Sequence, residues 1–287
     1  MAKLSDLTKE KLVKLYTEEK RSLGDIARLY GVSRGAIYKR LKKDNIKHRS
    51  KAQARLEAQR QGKLPQQYFH INESFFNSWS RKMAYILGLI VTDGCISKTG
   101  AVSLCMNEKE LLDKIKQAMN SEHKITLSKS QKGLYIYKFA REKLVEDLRN
   151  LGILPKKSLD IKFPQIPDIY LVDFIRGIFD GDGSVFFDPR SKNQPIRSKF
   201  CSGSKDFIEK LESCLQRSGL PARTIYEQKT KNGIYYMFIY GHKDSKKLFD
   251  LLYRNITDEL FLERKHRKFM EGFGRVNQDG KRASRVA

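Results

Sequence analysis

The hydrophobic pattern of the chain contains two ten-residue apolar segments that each end in Asp-Gly. YILGLIVTDG spans residues 85–94, and FIRGIFDGDG spans residues 174–183. Both segments are apolar on nearly every side, which predicts buried helices rather than amphipathic surface helices. They lie 89 positions apart, so Asp93 matches Asp182. Self-similarity at a fixed spacing indicates a duplicated structural unit.

The residues after each apolar segment follow the same order of patterns. A hairpin-like stretch precedes an amphipathic helix, and a second hairpin precedes a further helix; Asn232-Gly233 is a typical hairpin turn. In the segment HKITLS, alternation predicts that Ile125 and Leu127 point into the core. Each half is therefore predicted to be αββαββα. The predicted fold class is α+β, a pseudo-two-fold duplicated molecule with antiparallel sheets, preceded by a small all-α domain.

The first seventy residues contain short amphipathic helices and no strand pattern. Thr8 and Ser33 are suitable N-caps, and Gly31 suits a turn that needs a positive φ. The helix after Ser33 is basic, which is typical of the second helix of a DNA-binding helix-turn-helix. A generic three-helix bundle with a solvated basic face is the alternative. The residues of this helix predicted to contact DNA are Arg34, Tyr38, Lys39, Arg40, Lys42 and Lys43.

These patterns divide the chain into five predicted regions. They are a helix-turn-helix domain (1–50), a basic helical extension and linker (51–75), a first half (76–165), a second half (166–273) and a basic disordered tail (274–287).

Charge and composition narrow the functional classes. The 287 residues include 57 Lys and Arg against 33 Asp and Glu, for a net charge of +24. The apolar content excludes a fully disordered chain, and no apolar run is long enough for a membrane span or a secretory signal. Four cysteines without CxxC spacing predict neither a disulfide scaffold nor a zinc site, which favours an intracellular protein of the cytoplasm or an organellar matrix, not a secreted one. Nucleic acid is the leading anionic partner, and an anionic membrane surface is the weaker one.

The repeated Asp-Gly ends predict a cation site. Small residues four apart on each apolar helix allow the two helices to pack closely, and they are Gly88, Thr92, Gly177 and Gly181. Asp93 and Asp182 would then lie side by side at helix C-termini, where the helix dipole and mutual repulsion both disfavour negative charge. A divalent cation such as Mg²⁺ would relieve this, since it binds one or two carboxylates together with phosphate oxygens. The alternative is that Asp-Gly only ends a helix.

The two decapeptides, within roughly residues 76–272, resemble the motifs of LAGLIDADG homing endonucleases in their single-chain, two-motif form. The second is very similar to the family's RGxFDGDG variant. The resemblance implies a saddle of two four-stranded sheets on double-stranded DNA, with one strand cut by each half across the minor groove to leave 3′ overhangs. It implies catalytic roles for Asp93 and Asp182 and for a lysine in each half, Lys157 (or Lys156) and Lys265. The implied metal site comprises Asp93, Asp182, Gly94 and Gly183.

The first motif departs from the second at one acidic position. Val91 stands where the second motif has Asp180. Relatives often carry a polar, water-organising residue after the first hairpin, and Met106, Asn107 and Ser202 all remain candidates for this position.

The resemblance also implies the cofactor and the partner. We expect Mg²⁺, with Mn²⁺ as a substitute and Ca²⁺ binding without supporting cleavage. The partner would be a long asymmetric DNA site contacted by a monomer, and intron RNA is an alternative partner. A catalytically silent transcriptional regulator and an intron maturase remain alternative functions. The hairpin residues predicted to contact DNA are Lys98, Lys124, Thr126, Ser128, Lys138, Arg190, Arg197, Lys199, Arg223, Lys229 and Lys231.

Overall fold

The fold is described by a computed structural model that covers residues 6–63, 69–97, 100–154, 161–231, 233–256 and 259–283. The chain forms two compact units, Met1–Tyr68 and Phe69–Ala287. Their boundary falls within the predicted linker, but Ile71 and Phe75 are buried in the core of the second unit. These apolar side chains therefore extend the second unit into the segment predicted as a linker.

The N-terminal unit consists of short helices around a small apolar core. Its helices are α1 (Lys9–Val13, continued by a π-helical turn over Lys14–Glu18), α2 (Leu23–Leu29), α3 (Arg34–Lys43) and α4 (Lys51–Arg60). The predicted caps are confirmed, because the hydroxyls of Thr8 and Ser33 accept hydrogen bonds from the backbone of α1 and α3. Gly31 has the predicted positive φ, at 62°. Leu12, Ile26 and Ile37 are fully buried between the helices.

The second unit repeats one order of helices and strands. The first half contains α5 (Arg81–Asp93), β1 (Gly94–Ile96), β2 (Val102–Met106), α6 (Lys109–Ala118), β3 (Ile125–Leu127), β4 (Tyr135–Phe139) and α7 (Glu142–Asn150). The second half contains α8 (Asp168–Asp182), β5 (Ser184–Phe187), β6 (Ile196–Ser202), α9 (Lys205–Arg217), β7 (Tyr226–Thr230), β8 (Gly233–Tyr240), α10 (His242–Tyr253) and α11 (Glu263–Ala283). The predicted αββαββα repeat and the α+β class are confirmed.

Each half forms one antiparallel four-stranded sheet, and the two sheets have equivalent strand orders. The orders are β1-β2-β4-β3 and β5-β6-β8-β7. Leu104 and Tyr137 are paired on the face of the first sheet that faces the core, and Phe200 and Phe238 are paired on that face of the second. Side chains of the opposite parity point away from the core, and we call this side the open face of each sheet.

The structure corrects two expectations about individual elements. Ile125 packs against the core as predicted, but Leu127 is 60% exposed. β3 is a three-residue strand at the edge of the sheet, so it has a neighbouring strand on one side only. The last helix, α11, continues to Ala283 instead of ending at Phe273, so most of the segment predicted as a disordered tail is helical. No proline interrupts this segment, and basic residues near a helix C-terminus are favourable.

No helix in the part of the chain that the structure describes is both long and apolar enough to cross a membrane.

Candidate active site

The central helices α5 and α8 pack backbone against backbone. A β-carbon at Gly88 would overlap the Phe174 carbonyl oxygen, and one at Gly177 would lie 3.0 Å from the Gly88 α-carbon. Only glycine allows this approach, since two side chains would force the helices apart. The structure therefore places Gly88 and Gly177 at the predicted helix contact.

The same close contact continues to the ends of the two helices. Gly181 faces Thr92, whose hydroxyl donates to the carbonyl oxygens of Gly88 and Leu89. A β-carbon at Gly181 would lie 3.2 Å from Asp93 Oδ2. The Asp93 carboxylate of one helix therefore lies beside the last turn of the other helix.

Both helices end in the same way. Asp93 and Asp182 are the last helical residues, and Gly94 and Gly183 are the C-caps in extended conformation. A β-carbon at either cap would crowd the preceding helical turn. The Asp-Gly repeat is therefore explained by a tight transition from a helix into the first strand of each half.

Each aspartate lines one of two equivalent clefts. The first cleft is lined by Asp93, Cys105 and Asn107, with Gly181 from the other helix. The second is lined by Asp182, Cys201 and Gly203, with Thr92 from the other helix. Equivalent residues of the two clefts are 89 positions apart on the helices, as for Asp93 and Asp182, and 96 positions apart on the strands, as for Cys105 and Cys201. The strand register agrees with these two offsets. Cys95 pairs with Ser103 in the first sheet, and the equivalent residues Ser184 and Lys199 pair in the second.

This equivalence resolves the alignment that the sequence left open. Met106 corresponds to Ser202, and Asn107 corresponds to Gly203. The first cleft thus carries an amide where the second has no side chain, and Gln131 also lines the first cleft. The two halves present unequal polar groups beside equivalent aspartates.

A cysteine thiol accompanies the aspartate in each cleft. Cys201 Sγ lies 3.3 Å from the Asp182 carbonyl oxygen, to which it can donate. Burial raises the pKa of Cys201, and the charge of Asp182 adds to this. Burial likewise raises the pKa of Cys105, with contributions from Cys95 and Asp93. Both thiols are therefore protonated near neutral pH and are not activated nucleophiles.

Asp180 forms a buried network that the sequence did not reveal. The residue is 3% exposed, and its carboxylate accepts hydrogen bonds of 2.9 Å from Tyr85 and 2.9 Å from Tyr253. The backbone N–H of Leu262 donates a third bond of 2.8 Å. Burial raises the pKa of Asp180, while Lys265 and these donors oppose the shift. This acidic residue therefore ties α8 to α5, to α10 and to the start of α11.

Lys265 is buried at the end of α8. Its ammonium donates hydrogen bonds of 2.6 Å to the Phe179 carbonyl oxygen and 2.6 Å to that of Asp180. A third bond of 3.1 Å reaches the carbonyl oxygen of Gly181. The resemblance implied a lysine near the scissile phosphate; the structure instead places this ammonium on backbone carbonyls, with 4% of the residue exposed. Burial lowers the pKa of Lys265 to about 8.

The donor set in the clefts suits a hard divalent cation. Asp182 is exposed and Asp93 is half-buried, so both carboxylates can be reached from the clefts. No group of three or more His, Cys, Asp or Glu among the described residues is arranged to enclose a metal ion. Mg²⁺ needs no such cage, because it commonly takes one or two carboxylates and completes its shell with water and phosphate oxygens.

The first sheet places most of its predicted DNA-contacting residues on one face. Lys138 is exposed and pairs with Ser103 on the open face. Thr126 points to the same side, and Lys124 and Ser128 have the same parity along the chain. This half therefore presents a polar open face with basic side chains. Lys98 and Lys157 (with Lys156) lie outside the described residues.

The basic residues predicted to contact DNA in the second half lie in different environments. Arg197 and Lys199 lie on the open face. Lys229 pairs with Ile234, which places it on the opposite face of the sheet from Lys199. Lys229 is exposed on that side of the hairpin, and its contact with DNA stays a prediction. Lys231 is exposed at the following turn.

Three of the predicted arginines have intramolecular partners. Arg190 and Arg197 both bind the carboxylate of Asp188, at 3.0 and 2.8 Å, and close the β5–β6 hairpin. Arg223 forms an ion pair with Asp244 and stacks over the Tyr240 ring. Arg223 thus ties β8 to α10 rather than standing free on the open face.

Helix α3 of the N-terminal unit has an exposed basic face. Arg34, Tyr38 and Lys39 are exposed, and so are Lys42 and Lys43. A sixth predicted residue, Arg40, is half-buried and pairs with Asp44 at 2.9 Å. This leaves five of the six predicted side chains available to an anionic partner.

Comparison with known proteins agrees with the repeated motif. Residues 170–253 match the family model described as a LAGLIDADG-like domain. The match begins within α8 and ends at the last residue of α10. No curated protein matches the chain.

Solved structures of LAGLIDADG proteins also resemble the chain. The homing endonuclease I-DmoI in complex with DNA and Mn is 19% identical, with a TM-score of 0.43, over 64% of this chain and 100% of that one. The meganuclease I-SmaMI bound to uncleavable DNA is 12% identical, with a TM-score of 0.47, over 69% and 92%. The N-terminal LAGLIDADG domain of DUF199/WhiA is 15% identical, with a TM-score of 0.44, over 69% and 93%.

Proposed function

We propose that the protein is a site-specific, metal-dependent endonuclease that cuts both strands of double-stranded DNA. One observation carries this proposal: two equivalent clefts each hold an aspartate at the end of a central helix. Duplex cleavage requires two phosphodiester bonds to be broken, one on each strand. Two equivalent carboxylate sites in a chain of net charge +24 match that requirement.

The chain's own residues would hold and orient the reacting groups. Asp93 and Asp182 would each bind a divalent cation through their carboxylates, and Gly94 and Gly183 let the strands begin directly beside them. When bound, the cation would lower the pKa of water and stabilise charge on the phosphate. The helix packing at Gly88 and Gly177 fixes the separation of the two carboxylates.

The open faces of the two sheets would bind the DNA backbone and base edges. Lys138, Lys124 and Thr126 of the first half and Lys199 and Arg197 of the second support this role. Phosphate contacts from lysine and arginine supply most of the affinity, and hydroxyl and amide groups can read bases. The exposed basic face of α3 would contact additional DNA.

The finer features of the activity follow from the resemblance and are part of the proposal. We propose cleavage across the minor groove with 3′ overhangs, a monomer on a long asymmetric site, and Mg²⁺ as the cofactor. Mn²⁺ would substitute for Mg²⁺, and Ca²⁺ would allow binding without cleavage.

Selection from a randomised DNA library tests the proposal and supplies the target. The wild-type protein is incubated with the library and Mg²⁺, and cleaved ends are sequenced. A single recurring site with short 3′ overhangs is expected. The double variant Asp93→Asn, Asp182→Asn should bind the selected site in Ca²⁺ with wild-type affinity and cut neither strand. Binding by the wild-type protein without cleavage in Mg²⁺ or Mn²⁺ would instead support the transcriptional regulator.

A further inference from the structure

Lys265 occupies an unusual place for a lysine of a basic protein. It is in the first turn of α11, it is almost completely buried, and its ammonium donates to the three carbonyl oxygens of Phe179, Asp180 and Gly181. An ammonium group has three N–H donors, so this arrangement uses all of them. A phosphate could contact this ammonium only if one of these bonds were broken.

The turn held by Lys265 carries the aspartate of the second cleft. Asp182 follows Gly181 directly, and Gly181 also faces Thr92 and Asp93 of α5. The last carbonyls of a helix carry partial negative charge, and a carboxylate beside them is unfavourable without a cation. A buried ammonium bound to these carbonyls offsets that charge whether or not a metal ion is bound.

Charged groups from each packed element act on Lys265. Asp180 and Asp182 of α8 and Asp93 of α5 favour its charged form, whereas Arg264 of α11 and burial oppose it. Asp180 is itself held by Tyr85, Tyr253 and the Leu262 N–H. The position of the ammonium is therefore fixed by α5, α8, α10 and α11 together.

We infer that Lys265 is a positioning residue, which holds the last turn of α8 so that Asp182 is oriented towards its cleft, and that it does not contact the DNA phosphate. The inference rests on the proposed function for the role of Asp182. The inference applies to the second half only, because the residue of the first half that is equivalent to Asp180 is the apolar Val91. The buried charge network therefore belongs to the α8 end alone among the described residues.

Two measurements on Lys265→Met separate positioning from phosphate contact. The first is the salt dependence of binding to the selected DNA in Ca²⁺. A lysine that neutralises one phosphate contributes about 0.9 to the slope of log affinity against log salt. We expect the slope of Lys265→Met to equal the wild-type slope, whereas Lys199→Met, on the open face, should lower it by about 0.9.

The second measurement is the cleavage rate of each strand at saturating Mg²⁺. The strand that remains intact with Asp182→Asn is assigned to the second cleft. Lys265→Met should slow this strand by roughly tenfold or more and the other strand by clearly less, because the held turn carries Asp182 itself but contributes only Gly181 and Asp180 to the lining of the first cleft. Arg267→Met is the matched control, because it removes a cation from an exposed position of the same helix. The control should leave both strand rates unchanged.

A reduced salt slope for Lys265→Met, equal slowing of the two strands, or unchanged rates on both would each overturn the inference. If Lys265→Met does not fold, Lys265→Gln replaces it, since its amide keeps two N–H donors without the charge. Failure of the proposed function remains distinguishable. If the wild-type protein cuts nothing, the strand rates have no meaning, but salt slopes measured on non-specific duplex DNA still decide whether Lys265 contacts a phosphate.

Discussion

At the scale of single residues, the acidic side chains of the central helix ends have two different roles. Asp93 and Asp182 line clefts, and the motif that predicts them also predicts the glycine caps that place them there. Asp180 is buried beneath the same helix end and serves packing instead. A sequence motif cannot distinguish these roles, because the partners of Asp180, Tyr85 and Tyr253, come from elements far apart in the chain.

Removing the buried carboxylate of Asp180 should destabilise the folded protein. Asp180→Val, which installs the side chain of the equivalent position 91, leaves two tyrosine hydroxyls, the Leu262 N–H and the charge of Lys265 without their partner. We expect the free energy of unfolding to fall by about 3 kcal/mol, because three buried donors lose their acceptor and the buried ammonium loses a nearby negative charge. Urea unfolding measures this. Asp113→Asn, which breaks an exposed ion pair with Lys109, should cost less than about 1 kcal/mol.

The lowered pKa of Lys265 predicts a pH dependence of stability. Because the folded state binds the Lys265 proton less tightly than the unfolded chain, this group favours folding as the pH rises above about 8. Relative to Lys265→Met, the wild-type free energy of unfolding should increase by roughly 2 kcal/mol between pH 8 and pH 10. Denaturant unfolding of both proteins at the two pH values measures the difference. A difference that is independent of pH would contradict the burial of a charged lysine.

At the scale of secondary structure elements, most of the fold could be predicted and the reasons are local. Gly31, Ser33 and the two apolar decapeptides specify turns, caps and buried helices through backbone preferences and periodicity. The exposure of Leu127 could not be predicted, because it depends on which strand forms the sheet edge. The face of Lys229 depends on the pairing register, which a one-residue change in a loop reverses.

The contact between α5 and α8 should not tolerate a side chain. Gly177→Ala would place a methyl group against the Tyr85 carbonyl oxygen, and the helices would have to separate. We expect a loss of about 3 kcal/mol in the free energy of unfolding. Gly274→Ala, in a helix with no atom near the added carbon, should be neutral or stabilising by up to about 1 kcal/mol. Thermal unfolding of the two variants tests the contrast, and equal midpoints would contradict the close packing.

At the scale of the whole molecule, the chain forms two units with separate apolar cores, and both units carry an excess of positive charge. Residues 1–70 carry 18 Lys and Arg against 7 Asp and Glu, and the remaining residues carry 39 against 26. The apolar core of the first unit is formed within residues 7–46, and that of the second within residues 71–273. Each unit therefore has the means to fold independently, and each carries the positive charge that the proposed DNA contacts require.

Removal of the first unit should weaken binding without abolishing cleavage. A chain of residues 69–287 keeps both clefts and both sheets, so we expect it to cut the same two bonds. Its footprint should be shorter, and the salt slope should fall by roughly the number of phosphates that α3 contacts. Footprinting and binding titrations in Ca²⁺ measure both quantities. An unchanged footprint and slope would show that the basic face of α3 does not contact DNA.

The equivalence of the two helix ends is best tested by strand-resolved cleavage of the selected site with Asp93→Asn and Asp182→Asn as separate single variants. Each variant should nick the DNA, and the two variants should spare opposite strands, because each aspartate serves its own cleft. The double variant should cut neither strand. If one single variant still cut both strands at wild-type rates, or if both variants spared the same strand, the two clefts would not be paired active sites.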